Sequence, residues 1–181
     1  MLAKGMRDIL SSPSQLIRPQ LVYATNMSFN GNLKYADGAA LAIEFIHSFS
    51  LVHDDLPDMD DATTRRGQPC VHRTYGNGQA ILIGDALLCE AFQHILNDLN
   101  PPKTQRLMLK ALSQASGYQG MTLGQSLDIT PPNDLSSWIK CYQLKTGALF
   151  AASCMLGALS AGVDTFRYLL VLKRIGLKLG L

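Results

Sequence analysis

Residues 41–61 read LAIEFIHSFSLVHDDLPDMDD, an apolar run that leads directly into a cluster of aspartates. Five of the fourteen acidic residues of the chain fall between Asp54 and Asp61. Carboxylates this close repel one another, so the cluster needs a compensating positive charge. A hard divalent cation with oxygen ligands is the simplest source of that charge. A solvated acidic turn is the alternative, but the preceding segment Leu41–Val52 is too apolar for a surface linker.

Apolar residues recur at helical spacing along most of the chain, and β-branched alternation is scarce. The sequence therefore predicts an all-α fold in a single domain, residues 1–181. A polar loop is expected over Ala62–Gly78. The expected helices run from Gly38 (capped by Asp37) to a stop or kink at Pro57, from Gln79 to Asn97, from Thr104 to Leu127, from Asp134 or Ser136 to Ser160, and from Asp164 onward.

The bulk composition excludes several classes of protein. A net charge of +2 without a long basic block does not support nucleic-acid binding. The uncharged stretch Thr146–Val163 is rich in Gly, Ala and Ser, which favours tightly packed helices over a membrane span. Met1–Ser12 lacks the pattern of a signal peptide. A cytoplasmic protein with reduced, buried thiols is expected, because no CxxC spacing occurs among the cysteines, Cys70, Cys89, Cys141 and Cys154.

The aspartate cluster has a favourable geometry for a shared ligand. On a straight helix, His47, Asp54 and Asp58 project from one face. Asp60 points elsewhere unless Pro57 bends the axis and returns it toward Asp54. Two carboxylates, with water and phosphate oxygens, form a normal coordination sphere for Mg²⁺.

Two arginines, Arg65 and Arg66, follow the acidic cluster closely. Their planar guanidinium groups suit phosphate oxygens. A solvated turn would explain an isolated pair of arginines, but acids that hold a metal beside arginines that hold phosphate indicate a diphosphate site.

Two further segments contain polar residues whose role the sequence pattern alone does not decide. Gln125 and Asp128 follow Gly117, Gly120 and Gly124, and such glycines indicate either close approach to a neighbour or an ordinary helix end. Lys145 is a lone cation in an otherwise apolar helix. It is either a surface lysine with a buried stem or an inward-facing phosphate ligand.

Together these residues resemble the trans-prenyl diphosphate synthases, and most closely the bacterial farnesyl diphosphate synthase group. Asp54–Asp61 followed by Arg65–Gly67 is similar to that family's first aspartate-rich motif with its two-residue insertion. The likeness extends from about Met6 to Leu159. Three more segments match at the family's spacings: Gly84–Leu87, Gly124–Asp128 and Lys145–Gly147.

The resemblance implies an isoprenoid-synthase-type helical bundle around a deep cavity, usually dimeric, acting on small-molecule diphosphates with Mg²⁺. In such a reaction an allylic diphosphate ionises and isopentenyl diphosphate attacks the carbocation. Asp54 and Asp60 would hold Mg²⁺. Phe49, five residues before Asp54, would be an aromatic floor that favours a fifteen-carbon product. The implied catalytic residues are Asp54, Asp55, Asp60, Arg65 and Lys145. The implied substrate-binding residues are Arg18, His47, Phe49, Arg65, Arg66, Gln125, Asp128, Lys145 and Thr146.

The chain departs from the family pattern in two places. Pro13-Ser14-Gln15 stands where the family has Gly-Gly-Lys, so a lysine that would bind isopentenyl diphosphate is missing. The segment Val171–Leu181 ends without the family's second DDxxD motif. We therefore expect a bundle that is incomplete at the C-terminus. Its exposed apolar faces would favour a homodimer or pairing with a full-length homologue, and its activity would be weak or absent.

Three functional hypotheses follow from the sequence. The first is a farnesyl-type prenyltransferase. The second is a prenyltransferase-like subunit without turnover, or a degenerate copy, that pairs with a complete homologue. The third is a metal phosphohydrolase built on His47, His53 and Asp54, which needs further histidine ligands and has only His72 and His94 to supply them.

Overall fold

The computed structural model describes residues 1–181, and almost all of its regular structure is helical. The all-α prediction is confirmed. Two short strands, β1 (Thr64–Arg65) and β2 (Gln68–Pro69), pair antiparallel. The helices are α1 (Leu2–Leu10), α2 (Ile17–Ser28), α3 (Asp37–Asp54), α4 (Val71–Tyr75), α5 (Asn77–Leu96), α6 (Pro102–Ser116), α7 (Met121–Ile129), α8 (Leu135–Tyr142), α9 (Ala148–Ser160) and α10 (Phe166–Leu179).

Helix α3 lies at the centre of the packing. It runs along α5, while α9 contacts α2, α3, α6 and α10. The main core cluster joins Ile43 of α3 to Leu112 of α6 and Leu156 of α9, all fully buried. A smaller cluster beneath the C-terminal end of α3 joins Val52 to Ile83 of α5. Each such side chain stabilises the fold by about 1.5–3 kcal/mol relative to exposure, so the position of α3 is strongly determined.

The start of α3 differs from the sequence prediction. Asp37 is the first helical residue, and Ala36 takes the capping position without a side-chain cap. The Asp37 carboxylate instead accepts a hydrogen bond of 2.8 Å from the Tyr23 hydroxyl of α2. Asp37 as a cap was therefore wrong, but its charge still lies in the first turn, where the helix dipole favours an anion.

The end of α3 explains how the aspartates are arranged. The helix ends at Asp54, because a residue that precedes proline disfavours helical geometry and Leu56 precedes Pro57. The chain then turns back, and the Asp60 N–H donates to the Asp54 carbonyl over 2.9 Å. The predicted return of Asp60 toward Asp54 is observed. Asp58, expected on the helix face, lies instead in the exposed turn.

The glycines after α6 break a helix that the sequence predicts as continuous. The expected helix Thr104–Leu127 is two helices, α6 and α7, separated by residues 117–120. Gly120 passes so close to Ala115 that a Cβ there would overlap its carbonyl oxygen. The Thr122 hydroxyl donates to the Ser116 carbonyl over 2.7 Å across the break. The glycines thus serve a tight turn that redirects α7 toward the end of α3.

The helix expected from Asp134 to Ser160 is present but not uniform. Asp134 caps it by accepting from the Ser137 N–H at 3.0 Å, as predicted. Residues Gln143–Gly147, between α8 and α9, form a π-helical segment. Such segments are frequent at functional sites, because the extra residue per turn changes the direction of the side chains. This one carries Lys145 and Thr146.

Several apolar side chains remain exposed on the surface. Helix α10 exposes Phe166, Val171 and Ile175. Helix α5 is long and apolar enough to span a membrane by length and composition, with a mean hydropathy of 1.2, yet its Ile83 side chain is fully buried against α1 and α3. All four cysteines are free, but Cys89 is exposed, contrary to the prediction of buried thiols.

The contact between α7 and the π-helical segment gives a test of this packing. A Cβ on Gly124 would overlap the backbone of Lys145, so Gly124→Ala should lower the free energy of unfolding by about 1–3 kcal/mol. Gly78→Ala is the matched control, because nothing lies within 4 Å of its added Cβ. Urea unfolding measures both variants. Equal stability of the two would contradict the packing described.

Candidate active site

Asp54 and Asp60 line one cavity, which we call the carboxylate cavity. Its volume is about 210 Å³. The return of the chain after Pro57 brings these two carboxylates together with cations from distant segments. The lining residues are Arg18, His47, Ser50, Leu51, Asp54, Asp60, Arg65, Met121, Gln125, Lys145, Thr146 and Leu149.

The Asp54 carboxylate has an unusual electrostatic environment. Burial, together with the Asp60 and Asp55 carboxylates, raises its pKa to about 6 against the opposing effect of Lys145 and Arg65. Burial and neighbouring like charges both disfavour the ionised form. A divalent cation beside Asp54 would therefore stabilise its ionised form.

Asp55 and Arg65 form a buried ion pair beside the cavity. The Asp55 side chain is only 2% exposed. Arg65 Nε donates to Asp55 Oδ1 at 3.0 Å, and its terminal nitrogen donates to the same oxygen. This hydrogen bond raises the pKa of Arg65. Asp55 does not line the carboxylate cavity, so its direct role is to hold Arg65 in place.

Lys145, which lines the cavity, forms a second ion pair with Asp128. Lys145 Nζ donates to Asp128 Oδ2, which links the π-helical segment to α7. Burial lowers the pKa of Lys145, but the hydrogen bond to Asp128 and the charges of Asp128, Asp54 and Asp60 together outweigh it, so the net shift is upward. Nearby, the Gln125 amide is buried and neither of its polar atoms has a partner. An unpaired buried amide is costly, which indicates a place for a polar ligand.

A second cavity adjoins the first, and we call it the arginine cavity. It has a volume of about 340 Å³. His47 lies at the boundary, because it lines both cavities together with Arg18. The residues that line the arginine cavity are Pro13, Ser14, Gln15, Leu16, Ile17, Arg18, Glu44, His47 and Arg66.

His47 accepts hydrogen bonds from two arginines. Arg18 lies 3.4 Å and Arg66 3.2 Å from the same ring nitrogen, His47 Nε2. Since guanidinium groups only donate, this nitrogen must accept and any ring proton resides on Nδ1. Burial, followed by Arg18 and Arg66, lowers the pKa of His47 to about 3. His47 is therefore a neutral residue that positions two cations.

A third cavity, which we call the apolar cavity, adjoins the carboxylate cavity along a neighbouring face of α3. It has a volume of about 410 Å³ and shares Ser50, Asp54, Met121 and Gln125 with the carboxylate cavity. Phe49 lines it and packs edge-on against His53, with ring centroids 5.2 Å apart. An apolar chain attached to a group at Asp54 could extend into this space.

The structure brings together most of the residues that the sequence singles out. Arg66 joins Arg18 and His47 in the arginine cavity, Phe49 lines the apolar cavity, and Asp55 and Asp128 serve as ion-pair partners. The sequence analysis missed Glu44 and Ser50. Both lie three residues from His47, and this helical spacing is the signal that would have found them.

The carboxylate cavity suits a metal ion that is coordinated jointly by protein and ligand. It suits a metal held by protein side chains alone less well. No group of three or more His, Cys, Asp or Glu side chains converges anywhere in residues 1–181. Asp54 and Asp60 supply two carboxylates, the usual protein contribution to Mg²⁺ that also binds phosphate oxygens. Neither His72 nor His94 lines a cavity with Asp54, which leaves the phosphohydrolase hypothesis without its further ligands.

Comparison with known proteins identifies a family that the chain matches. The polyprenyl synthetase family profile matches residues 1–181. Farnesyl diphosphate synthase from Escherichia coli K12 is 44% identical over 172 residues, which are 91% of this chain and 57% of that protein. The chain thus spans about half the length of the curated relatives it matches.

Solved structures agree with the sequence comparison. An FPP/GFPP synthase from Zymomonas mobilis superposes with a TM-score of 0.93 at 36% identity, over 99% of this chain and 66% of that one. A geranyltransferase from Helicobacter pylori, complexed with magnesium and isoprenyl diphosphate, gives a TM-score of 0.92 at 32% identity, over 99% and 62%. The fold, the aspartate turn and these matches lead to one conclusion: the chain belongs to the polyprenyl synthetase family.

Proposed function

We propose that this chain is a Mg²⁺-dependent trans-prenyltransferase of the farnesyl diphosphate synthase type. It would condense isopentenyl diphosphate with dimethylallyl or geranyl diphosphate. The observation that carries the proposal is the carboxylate cavity. There, Asp54 and Asp60 face Arg65 and Lys145 at the mouth of an apolar cavity. The relatives that match the chain include farnesyl diphosphate synthases, geranylgeranyl diphosphate synthases and geranyltransferases.

The carboxylate cavity would receive the allylic diphosphate. Asp54 and Asp60 would hold Mg²⁺, which when bound offsets the negative charge that develops on the departing diphosphate. Arg65, Lys145 and Thr146 would contact its oxygens. Preorganised cations at a developing charge are typically the largest single contribution to catalysis. Lys145 would have to exchange Asp128 for phosphate oxygens as the ligand enters.

The arginine cavity would receive the diphosphate of isopentenyl diphosphate on Arg18 and Arg66, with neutral His47 holding both guanidinium groups. The double bond of that substrate would attack the allylic carbon, a carbon–carbon bond would form, the carbon–oxygen bond to diphosphate would break, and one proton would leave. The apolar cavity would shelter the allylic chain from water. Phe49 would limit its length and favour a fifteen-carbon product.

The cellular setting belongs to the same proposal. We propose a cytoplasmic protein that assembles as a homodimer or with a full-length homologue. The exposed apolar side chains of α10 supply a surface for such contacts.

A second candidate is a diphosphate-binding subunit without turnover that pairs with a complete homologue. Gln15 favours it, because it lines the arginine cavity where the family resemblance implies a lysine. Formation of farnesyl diphosphate from isopentenyl and geranyl diphosphates by the purified chain, at high concentration with Mg²⁺, distinguishes the two. Detectable product supports the enzyme, and its absence together with tight ligand binding supports the subunit.

The metal site predicts a specific dependence of binding on Mg²⁺. Calorimetry should show that Mg²⁺ strengthens binding of a non-hydrolysable geranyl diphosphate analogue. Asp54→Asn or Asp60→Asn should weaken the Mg²⁺-dependent binding about 10- to 100-fold, because each removes a metal ligand or its charge. Asp58→Asn is the matched control, since Asp58 lies in the same turn but lines none of the three cavities. Equal losses in all three variants would contradict the assignment.

Lys145 predicts a second effect on binding. Lys145→Ala should weaken binding of the same analogue about tenfold or more, because a charged hydrogen bond contributes about 1.5–3 kcal/mol. Lys140→Ala removes an exposed lysine from the preceding helix and should leave the dissociation constant unchanged. If Lys145→Ala binds as tightly as Lys140→Ala, then Lys145 does not contact the diphosphate.

A further inference from the structure

The arginine cavity contains one acidic side chain, Glu44. It lies on α3, one turn before His47, and lines the cavity with Arg18 and Arg66. The chain has only two glutamates, and the other, Glu90, is exposed on α5. A carboxylate inside a cavity that is proposed to bind an anion needs an explanation, because it repels the ligand.

The charges around Glu44 come from three elements. Arg18 on α2 and Arg66 after strand β1 are cationic, while His47 on α3 is neutral and Gln15 adds no charge. Burial raises the pKa of Glu44, and Arg66 and Arg18 counteract that rise. The two guanidinium groups therefore oppose the effect of burial and favour the ionised form of this half-buried carboxylate.

A diphosphate in this cavity would change that balance. Its oxygens would engage the same two guanidinium groups and so neutralise the cations that stabilise ionised Glu44. Its own negative charge, a few ångströms away in a partly buried site, would further favour the neutral carboxyl group. Both effects favour protonation of the Glu44 carboxylate.

We propose that Glu44 takes up a proton when a diphosphate occupies the arginine cavity, so that filling of this cavity is coupled to protonation. The proposal rests on the proposed function only in assigning a diphosphate to this cavity. Glu44 is a positioning residue here, because it acts through the arginines. Its proton would lower the repulsion that an acid in the cavity otherwise imposes on the ligand.

Proton uptake is measured directly with inorganic pyrophosphate as the probe. Calorimetry without Mg²⁺, in the presence of chelator, is run in two buffers of different ionisation enthalpy, which gives the protons exchanged per ligand bound. Pyrophosphate that meets cations can only lose protons. The wild-type chain should therefore take up more protons per ligand than Glu44→Gln, by up to about one, because the variant reports what the ligand and the other groups exchange. Equal proton counts for the two proteins would overturn the proposal.

Glu44→Gln locates the proton. This variant should lose the uptake and bind pyrophosphate more tightly than the wild type, by about tenfold where Glu44 is ionised. The advantage should grow as pH rises through the pKa of Glu44, because ionisation of Glu44 penalises only the wild type. Glu90→Gln is the matched control and should behave as wild type.

The possible outcomes distinguish the role of Glu44 from the proposed function of the chain. Pyrophosphate binding that is identical in wild type and Glu44→Gln at every pH overturns the role of Glu44 and leaves the proposed function intact. No pyrophosphate binding by any folded variant, or binding unaffected by Arg66→Ala, contradicts a diphosphate in this cavity and overturns both.

Discussion

The buried ion pair between Asp55 and Arg65 is the interaction on which the site depends. It ties the hairpin that follows the aspartate turn to the C-terminal end of α3. Removing Arg65 would leave Asp55, which is only 2% exposed, as an uncompensated buried charge, a change that generally costs about 3–5 kcal/mol. Because Arg66 follows Arg65 directly, the same contact brings Arg66 to His47. One ion pair thus places cations in two adjacent cavities, and Asp55 has this effect without lining either of them.

The helical periodicity of α3 places different sets of its side chains in different cavities. Glu44, His47, Leu51 and Asp54 recur at spacings of three and four residues and line the two polar cavities, while Ile43 and Ile46 point into the core. Phe49 and His53 lie on a neighbouring face and line the apolar cavity. A fixed core face therefore fixes the polar faces as well. Along α3 the polar side chains run from Glu44 in the arginine cavity to Asp54 in the carboxylate cavity at the C-terminal end of the helix.

The sequence predicted the parts of this arrangement that depend on local pattern. The apolar period of α3, the aspartate cluster and the two arginines were sufficient to indicate an all-α protein with a diphosphate site. Pairwise contacts between distant segments were not accessible from spacing alone. The Asp37–Tyr23 hydrogen bond replaced an expected cap, and the Lys145–Asp128 pair links two helices. The break at residues 117–120 depends on the close approach of Gly120 to Ala115. The apolar residues keep a helical spacing across the break, so the sequence pattern does not reveal it.

The most direct test of the account is to locate the metal in solution. With Mn²⁺ in place of Mg²⁺ and a geranyl diphosphate analogue bound, paramagnetic broadening should remove the amide NMR signals around Asp54, Asp60, Gln125 and Lys145. Signals around Lys103 and Asp164, near the ends of α6 and α9 that lie away from the site, should remain sharp. Without the analogue the broadening should be much weaker, because the ligand completes the metal's coordination. Broadening centred elsewhere, or equally strong without the analogue, would contradict the claim that these carboxylates and cations form one metal–diphosphate site.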